Sequence, residues 1–265
     1  MTIVTSLQNP RVKALVRLQD KAAERRERGV VVIEGGKEIG LAREAGLTFE
    51  ELFHCPALGP LPADLRAAVP EVTEVTRDVF AKIAYRDDSD GLVAIARAPE
   101  RTLASALIAP PRPPLVLVLD AVEKPGNLGA IVRTADGVGA DLVLVCDPRC
   151  DAWNPNVVRA SVGTVFRVPV VATTAAEARA FLRARGVRLV AATPDGALDL
   201  WDAPAAVMTG PVALCLGTEH EGLDPGWRDA ADVRVKIPMR GRNDSLNVSV
   251  AAAVLAYEVL RRRRP

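Results

Sequence analysis

From residue 115 onward, short aliphatic runs alternate with amphipathic stretches, and few polar residues interrupt the runs. Residues 115–119 read Leu-Val-Leu-Val-Leu, and comparable runs follow at 142–146, 166–171, 188–192, 212–216 and 233–237. An unbroken run of this length suits a strand buried on both faces, as in a parallel sheet covered by helices. Helical spacing fills the intervals between most of these runs, most clearly over 175–185. This half of the chain is predicted to be an α/β domain on a parallel sheet.

The first hundred residues have shorter and weaker periods. A basic helix is predicted over 9–28, with Val12, Leu15, Val16 and Leu18 as a partial apolar face. Strands are predicted at 30–33, 51–55, 71–76 and 92–97. A second helix over 37–44 is closed by Gly46, the residue type favoured just past a helix end. The pattern is that of a small α/β domain. Between the two regions stand Pro99, Pro110, Pro111, Pro113 and Pro114, which stiffen the chain and forbid regular pairing. The predicted layout is a domain at 1–98, a linker at 99–114 and a second domain at 115–265.

Charge changes this picture only locally. Among 265 residues, 34 basic and 33 acidic side chains leave a net charge of +1. That balance argues against nonspecific coating of nucleic acid, while leaving room for local basic patches. Arg11, Arg17, Arg25, Arg26 and Arg28 on the first predicted helix are candidate phosphate contacts, or equally a solvated helix face. The arginines at 261–264 suit a helix C-terminus, with phosphate contact as the other reading. The four cysteines form no CxxC pair, and with only His54 and His220 beside them no metal site is expected. They read as free thiols. No leader-type start and no apolar run near the ~20 residues needed to cross a bilayer are present, so a cytoplasmic, non-membrane location is expected.

Ligands of open parallel sheets bind outside the carboxyl ends of the strands. Three such ends carry unusual polar groups. After 115–119 comes a segment holding Asn127 and Arg133. Asn127 is expected to cap a helix, and Arg133, six positions on, to project toward the same rim. Arginine offers a fixed fork of donors to a phosphate or a developing oxyanion; a plain cap and a surface Arg133 pairing with Asp136 is the alternative. These glycines do not form GxGxxG, which disfavours a dinucleotide-binding enzyme. The second end is the loop from Gly217 to Gly222, where glycine lets backbone approach a ligand. Its Glu219 is a candidate acceptor or an orienter of Arg133, or a solvated carboxylate. The third end holds Ile237, Met239, Ser245, Leu246 and Asn247. Ser245 or Asn247 is expected to cap the last helix, with Ile237, Met239 and Leu246 lining an apolar slot suited to an adenine.

These segments, in this order, resemble the signature motifs of the SpoU family of RNA methyltransferases in the SPOUT superfamily. The matching residues are Asn127-x-Gly129 with Arg133-Thr134, then Leu216-Gly217-x-Glu219-x-x-Gly222, then Ile237-Pro238-Met239 and Ser245-Leu246-Asn247-Val248-Ser249. Ile33-Glu34-Gly35 and the helix after it look like the RNA-binding appendage that many members carry. The resemblance implies S-adenosylmethionine as methyl donor, structured RNA as substrate and methylation of a ribose 2′-hydroxyl. It also implies a deep trefoil knot in the C-terminal domain and a homodimer. Carried over, Gly217, Ile237, Met239 and Leu246 would contact the donor, and Asn127, Arg133, Glu219, Ser245 and Asn247 would form the reaction site. The family's assignment of Arg133 as general base sits badly with a guanidinium that stays protonated. Phosphate binding and charge stabilisation suit it better. Ribosomal RNA fits the two-domain layout best. Transfer RNA, a ribosomal site protected in antibiotic producers, and a noncatalytic RNA-binding protein are the alternatives.

Overall fold

A computed structural model describes residues 3–85, 88–106, 112–218 and 221–264. In chain order the first elements are α1 (Pro10–Asp20), α2 (Ala22–Arg28), β1 (Val30–Glu34), α3 (Gly36–Glu44) and β2 (Phe49–His54). Next come α4 (Ala63–Ala68), β3 (Val72–Glu74), α5 (Arg77–Ile83) and β4 (Leu92–Arg97). Then follow β5 (Leu115–Asp120), α6 (Pro125–Val138), β6 (Leu142–Cys146), α7 (Pro155–Ala160) and β7 (Val170–Thr173). The remainder is α8 (Ala175–Arg183), β8 (Arg188–Ala192), β9 (Leu198–Asp199), α9 (Ala205–Thr209), β10 (Val212–Leu216), α10 (Pro225–Ala230), β11 (Val233–Lys236) and α11 (Val248–Arg262).

The chain divides into two compact units, residues 1–100 with 153–167, and residues 101–152 with 168–265. The expected layout had no such excursion. Val157, Val158, Val165 and Phe166 are buried, and α7 packs on β1 of the first unit. Their apolar patch is too short to have a period of its own. It also displaces one expected strand: 164–166 is a 3-10 turn, and β7 begins only at Val170. Residues 107–111 of the expected linker lie outside the described residues.

The first unit is a four-stranded sheet of order β1-β4-β2-β3, parallel only between β2 and β3. Val30, Val32, Phe53, Val93 and Ile95 of this sheet meet Leu15 and Leu18 of α1 and Phe80 and Ile83 of α5 in one core. The single helix expected over 9–28 is two helices that part at Lys21 (φ −113°, ψ 108°). Arg25 of α2 explains the break. Its guanidinium donates to the carbonyls of Leu18 (2.7 Å) and Gln19 (2.9 Å), groups that a helix end leaves without partners.

The second unit holds a seven-stranded, wholly parallel sheet of order β7-β6-β5-β10-β8-β11-β9. Strands β5, β6 and β10 are buried along their whole length, as uninterrupted aliphatic runs require. Val116, Val118, Leu144 and Cys215 pack against Phe181 and Leu182 of α8 and Trp227 of α10. Helices α6, α9 and α11 contact the sheet strands β6 and β10. All four cysteines are free thiols. Burial pushes the Cys146 thiol up to about 12, so it behaves as an inert apolar side chain.

The arginines that end α11 hold its place. Arg262 donates to the carbonyls of Leu200 (3.1 Å), Trp201 (3.0 Å) and Ala203, and Arg263 to those of Met208 (3.1 Å), Pro113 (2.6 Å), Pro114 (3.1 Å) and Gly210 (2.7 Å). Glu258 pairs with Arg261 (2.7 Å) and Arg262 (2.5 Å). Among the described residues, no helix is long and apolar enough to cross a membrane.

Candidate active site

The strand order reverses between β5 and β10. From β5 the sheet continues through β6 to β7, and from β10 it continues through β8 and β11 to β9. At such a reversal the connections leave in opposite directions and open a crevice beyond the strand ends. Two cavities occupy that crevice.

The larger, of about 420 Å³, falls within the ~300–1,000 Å³ usual for ligand pockets. Thr193 and Asp195 line it from the end of β8, and Leu216, Gly217 and Thr218 from the end of β10. Ile237, Met239, Ser245 and Leu246 close it from the segment between β11 and α11. All four residues expected to contact the donor thus share one wall system. Gly217 is required there. A Cβ would stand 2.0 Å from the Gly222 carbonyl oxygen, the same oxygen that accepts the Thr218 N–H at 3.0 Å. Gly222 itself has φ +72°, where other residues are strained.

The smaller cavity, of about 150 Å³, is lined by Val122, Glu123, Lys124, Asn127, Thr218, Glu221 and Val248. Thr218, Glu221 and Val248 line both cavities. Asn247 caps α11: its Oδ1 accepts from the Ser249 N–H (3.0 Å) and the Ser249 hydroxyl (2.6 Å). That commitment turns its Nδ2 toward Asn127, whose Oδ1 accepts at 3.2 Å. Two residues 120 positions apart therefore meet beside the smaller cavity, which Asn127 lines. Ser245 lines the larger cavity, with its hydroxyl donating to Asp244 (3.1 Å).

Three expectations change. Asn127 is not the cap of α6. That position is Lys124, with no side-chain cap, and Asn127 lies in the first turn with its side chain on Asn247. Arg133 does not share its rim, because six residues at about 100° each leave the two about 120° apart around the axis. Arg133 is exposed, lines neither cavity, and makes no hydrogen bond or ion pair among the described residues, with Asp136 or otherwise. Arg25 is only 2% exposed and occupied by backbone carbonyls, so phosphate has no access to it. Glu219 lies outside the described residues.

The other arginines of the first unit divide. Arg11 is tied to Glu51 (3.4 Å), Glu71 and Thr73 (2.9 Å), Arg17 to Glu24 (3.7 Å) and Arg28 to Glu50 (2.9 Å). Arg26 is exposed and has no such tie among the described residues.

Sequence reading missed Glu123, Thr218 and Glu221 in the cavity walls, and Arg149 across them. Arg149 bonds Glu123 and reaches Glu221 at 3.3 Å, joining the loops after β5, β6 and β10. Each lies a few residues beyond a strand end, which was the available signal.

Residues 114–257 match the SpoU rRNA Methylase family, and residues 9–94 match an MRM3-like substrate binding domain. The 23S rRNA (guanosine(2553)-2'-O)-methyltransferase RlmP of Bacillus subtilis (strain 168) is 30% identical over 260 residues, 98% of this chain and 99% of that protein. A crystal structure of an RNA 2'-O ribose methyltransferase aligns with TM-score 0.86 at 41% identity, covering 99% of each chain. The SpoU methyltransferase AviRb from Streptomyces viridochromogenes, in complex with the cofactor AdoMet, aligns with TM-score 0.86 at 28% identity, covering 97% of this chain and 98% of that one. This chain belongs to the SpoU rRNA methylase family.

Proposed function

We propose that this protein transfers a methyl group from S-adenosylmethionine to a ribose 2′-hydroxyl of ribosomal RNA. One observation carries the reading: Asn127, which lines the smaller cavity, bonds Asn247, and the larger cavity, which shares Thr218, Glu221 and Val248 with it, is walled by Gly217, Ile237, Met239, Ser245 and Leu246. The walls fit the donor's chemistry. Leu216, Ile237, Met239 and Leu246 offer apolar contact to an adenine, Gly217 permits close backbone approach, and Asp195, Glu221 and Asp244 favour a cationic ligand. When bound, the donor supplies a methyl group on a sulfonium, open to in-line displacement.

The residues then have mainly positioning to do. Asn127 and Asn247 orient the ribose hydroxyl. Arg133 binds an adjoining phosphate and stabilises charge developing on oxygen. The proton leaves through Glu219, that phosphate or water. The first unit selects the RNA, with Arg26 as one accessible cation. The larger cavity is lined from the ends of β8 and β10 and from the segment before α11, and the second unit is read as carrying the family's trefoil knot.

A homodimer belongs to the same reading. Helices α6 and α11 run parallel, since Asn127 meets Asn247 and a Cβ at Gly137 would meet the Tyr257 hydroxyl at 3.2 Å. Val250 and Tyr257, two turns apart on α11, are 48% and 52% exposed. Arg133 is one turn from Gly137 on the same face of α6. A second copy covering this face would bring Arg133 beside an active site.

Incubation with tritiated S-adenosylmethionine and purified ribosomal or transfer RNA, followed by mapping of 2′-O-methyl positions, tests the function. Label at a ribosomal ribose is expected. Label only in transfer RNA reassigns the substrate, and no label in any RNA leaves a noncatalytic RNA binder.

A further inference from the structure

We infer that Asp120 is a positioning residue for methyl transfer, holding residues 221–224 against the segment that carries Asn127. The inference rests on the function proposed above and adds a group outside the two cavities.

Asp120 is the last residue of β5 and only 5% exposed. Its Oδ2 accepts the Asp224 N–H at 2.9 Å, across 104 positions of chain. Asp224 is fixed a second time through its side chain, whose Oδ1 accepts the Gly226 N–H at 2.8 Å and caps α10. Just before Asp224, Thr218 donates its N–H to the Gly222 carbonyl, and Leu223 is buried. Gly222 and Leu223, which line the larger cavity, are therefore held through Asp224.

On its other side Asp120 leads directly into the Asn127 segment. Ala121 donates its N–H to the Cys146 carbonyl at 2.9 Å and adopts φ +51°, a conformation uncommon for a residue with a side chain. The chain turns sharply there toward Val122, which is buried and lines the smaller cavity. One carboxylate thus joins two segments that both contribute to the cavity walls.

The surroundings are costly for a carboxylate. Burial pushes the Asp120 carboxyl above the usual range; the Asp224 N–H eases this, Asp224 and Asp147 repel the charge, and Arg179 attracts it. Arg179 lies 5.3 Å over the Trp227 ring.

The test compares full-length Asp120→Asn and Asp120→Ala with wild type by amide hydrogen exchange, S-adenosylmethionine calorimetry, and kcat and KM on ribosomal RNA. Asparagine keeps an acceptor oxygen and alanine does not. Asp120→Ala should speed Asp224 amide exchange and lower kcat about 100-fold, the scale of a 1 Å misplacement. Asp120→Asn should restore slow exchange and hold kcat within about fivefold of wild type, a single hydrogen bond's worth. A folded Asp120→Ala with unchanged Asp224 exchange, or kcat within twofold, overturns the assignment, as does an asparagine variant as impaired as alanine. Should the alanine variant fail to fold, fast exchange of the wild-type Asp224 amide overturns it instead. Failure of wild type to label any RNA would sink the proposed function alone, because exchange and donor binding still report on the tether.

Discussion

The chain carries arginine-rich runs at 25–28 and at 261–264, and phosphate contact is one reading of each in sequence. At the N-terminal end, Arg25 turns inward onto the carbonyls that end α1, Arg28 pairs with Glu50, and Arg26 alone is untied among the described residues. At the C-terminal end, Arg262 and Arg263 bind seven carbonyls between them, and Arg261 pairs with Glu258. Arginine clusters near helix ends meet a supply of unpaired carbonyls, and a guanidinium with five donors can take several at once. Under the proposed function, an arginine that binds phosphate has to be free of such partners. Arg133, in mid-helix where every carbonyl is already used, has none among the described residues.

The sharpest way to break this contrast is Arg133→Ala. We expect kcat on RNA to fall about 1,000-fold, the upper scale of one lost transition-state donor, with donor affinity unchanged. Calorimetry showing lost S-adenosylmethionine binding would move Arg133 to the donor site. Next in size are Arg262→Ala and Arg25→Ala, which orphan buried carbonyls. Each should cost about 2–4 kcal/mol in the unfolding of its own unit, followed by denaturant titration. If Arg25→Ala instead kept stability and lost RNA affinity, the division drawn above would fail.

Acid should loosen the C-terminal set. Hydrogen bonding from Arg261, then Arg262, holds the Glu258 carboxyl at about 2 against an ordinary 4.5. A folded value below the unfolded one stabilises the protein above about pH 4.5, and that contribution disappears as pH falls toward 2. Melting curves of Glu258→Gln should therefore show a shallower loss through that window than wild type. The smallest effect is expected from Arg26→Ala: unchanged melting, and RNA affinity whose dependence on salt falls by about one ion. An unchanged salt dependence would remove Arg26 from the RNA surface.

Much of the site was legible because glycine, asparagine and apolar positions at strand ends have few uses. Gly217 was read as a point of close approach, and a Cβ there would collide with Gly222. Ile237, Met239 and Leu246 were read as one slot and line one cavity. Asn247 caps α11, one of two residues the spacing allowed. Asn127 was misread as a cap because its partner lies 120 positions away, and local spacing carries no trace of it. The role of Asp120 is hidden in the same way, because its partner Asp224 lies 104 positions away.

Hydrophobic period alone determined the parallel sheet, its strands β5, β6, β8 and β10, and a separate smaller domain, because burial on one or two faces is written into every few residues. Only the tertiary structure decided that 153–167 joins the first unit, which arginines are occupied by backbone, and which polar side chains meet at the reversal of strand order. Those outcomes depend on partners brought together across long stretches of chain, where the geometry of packing, and no local preference, selects the neighbour.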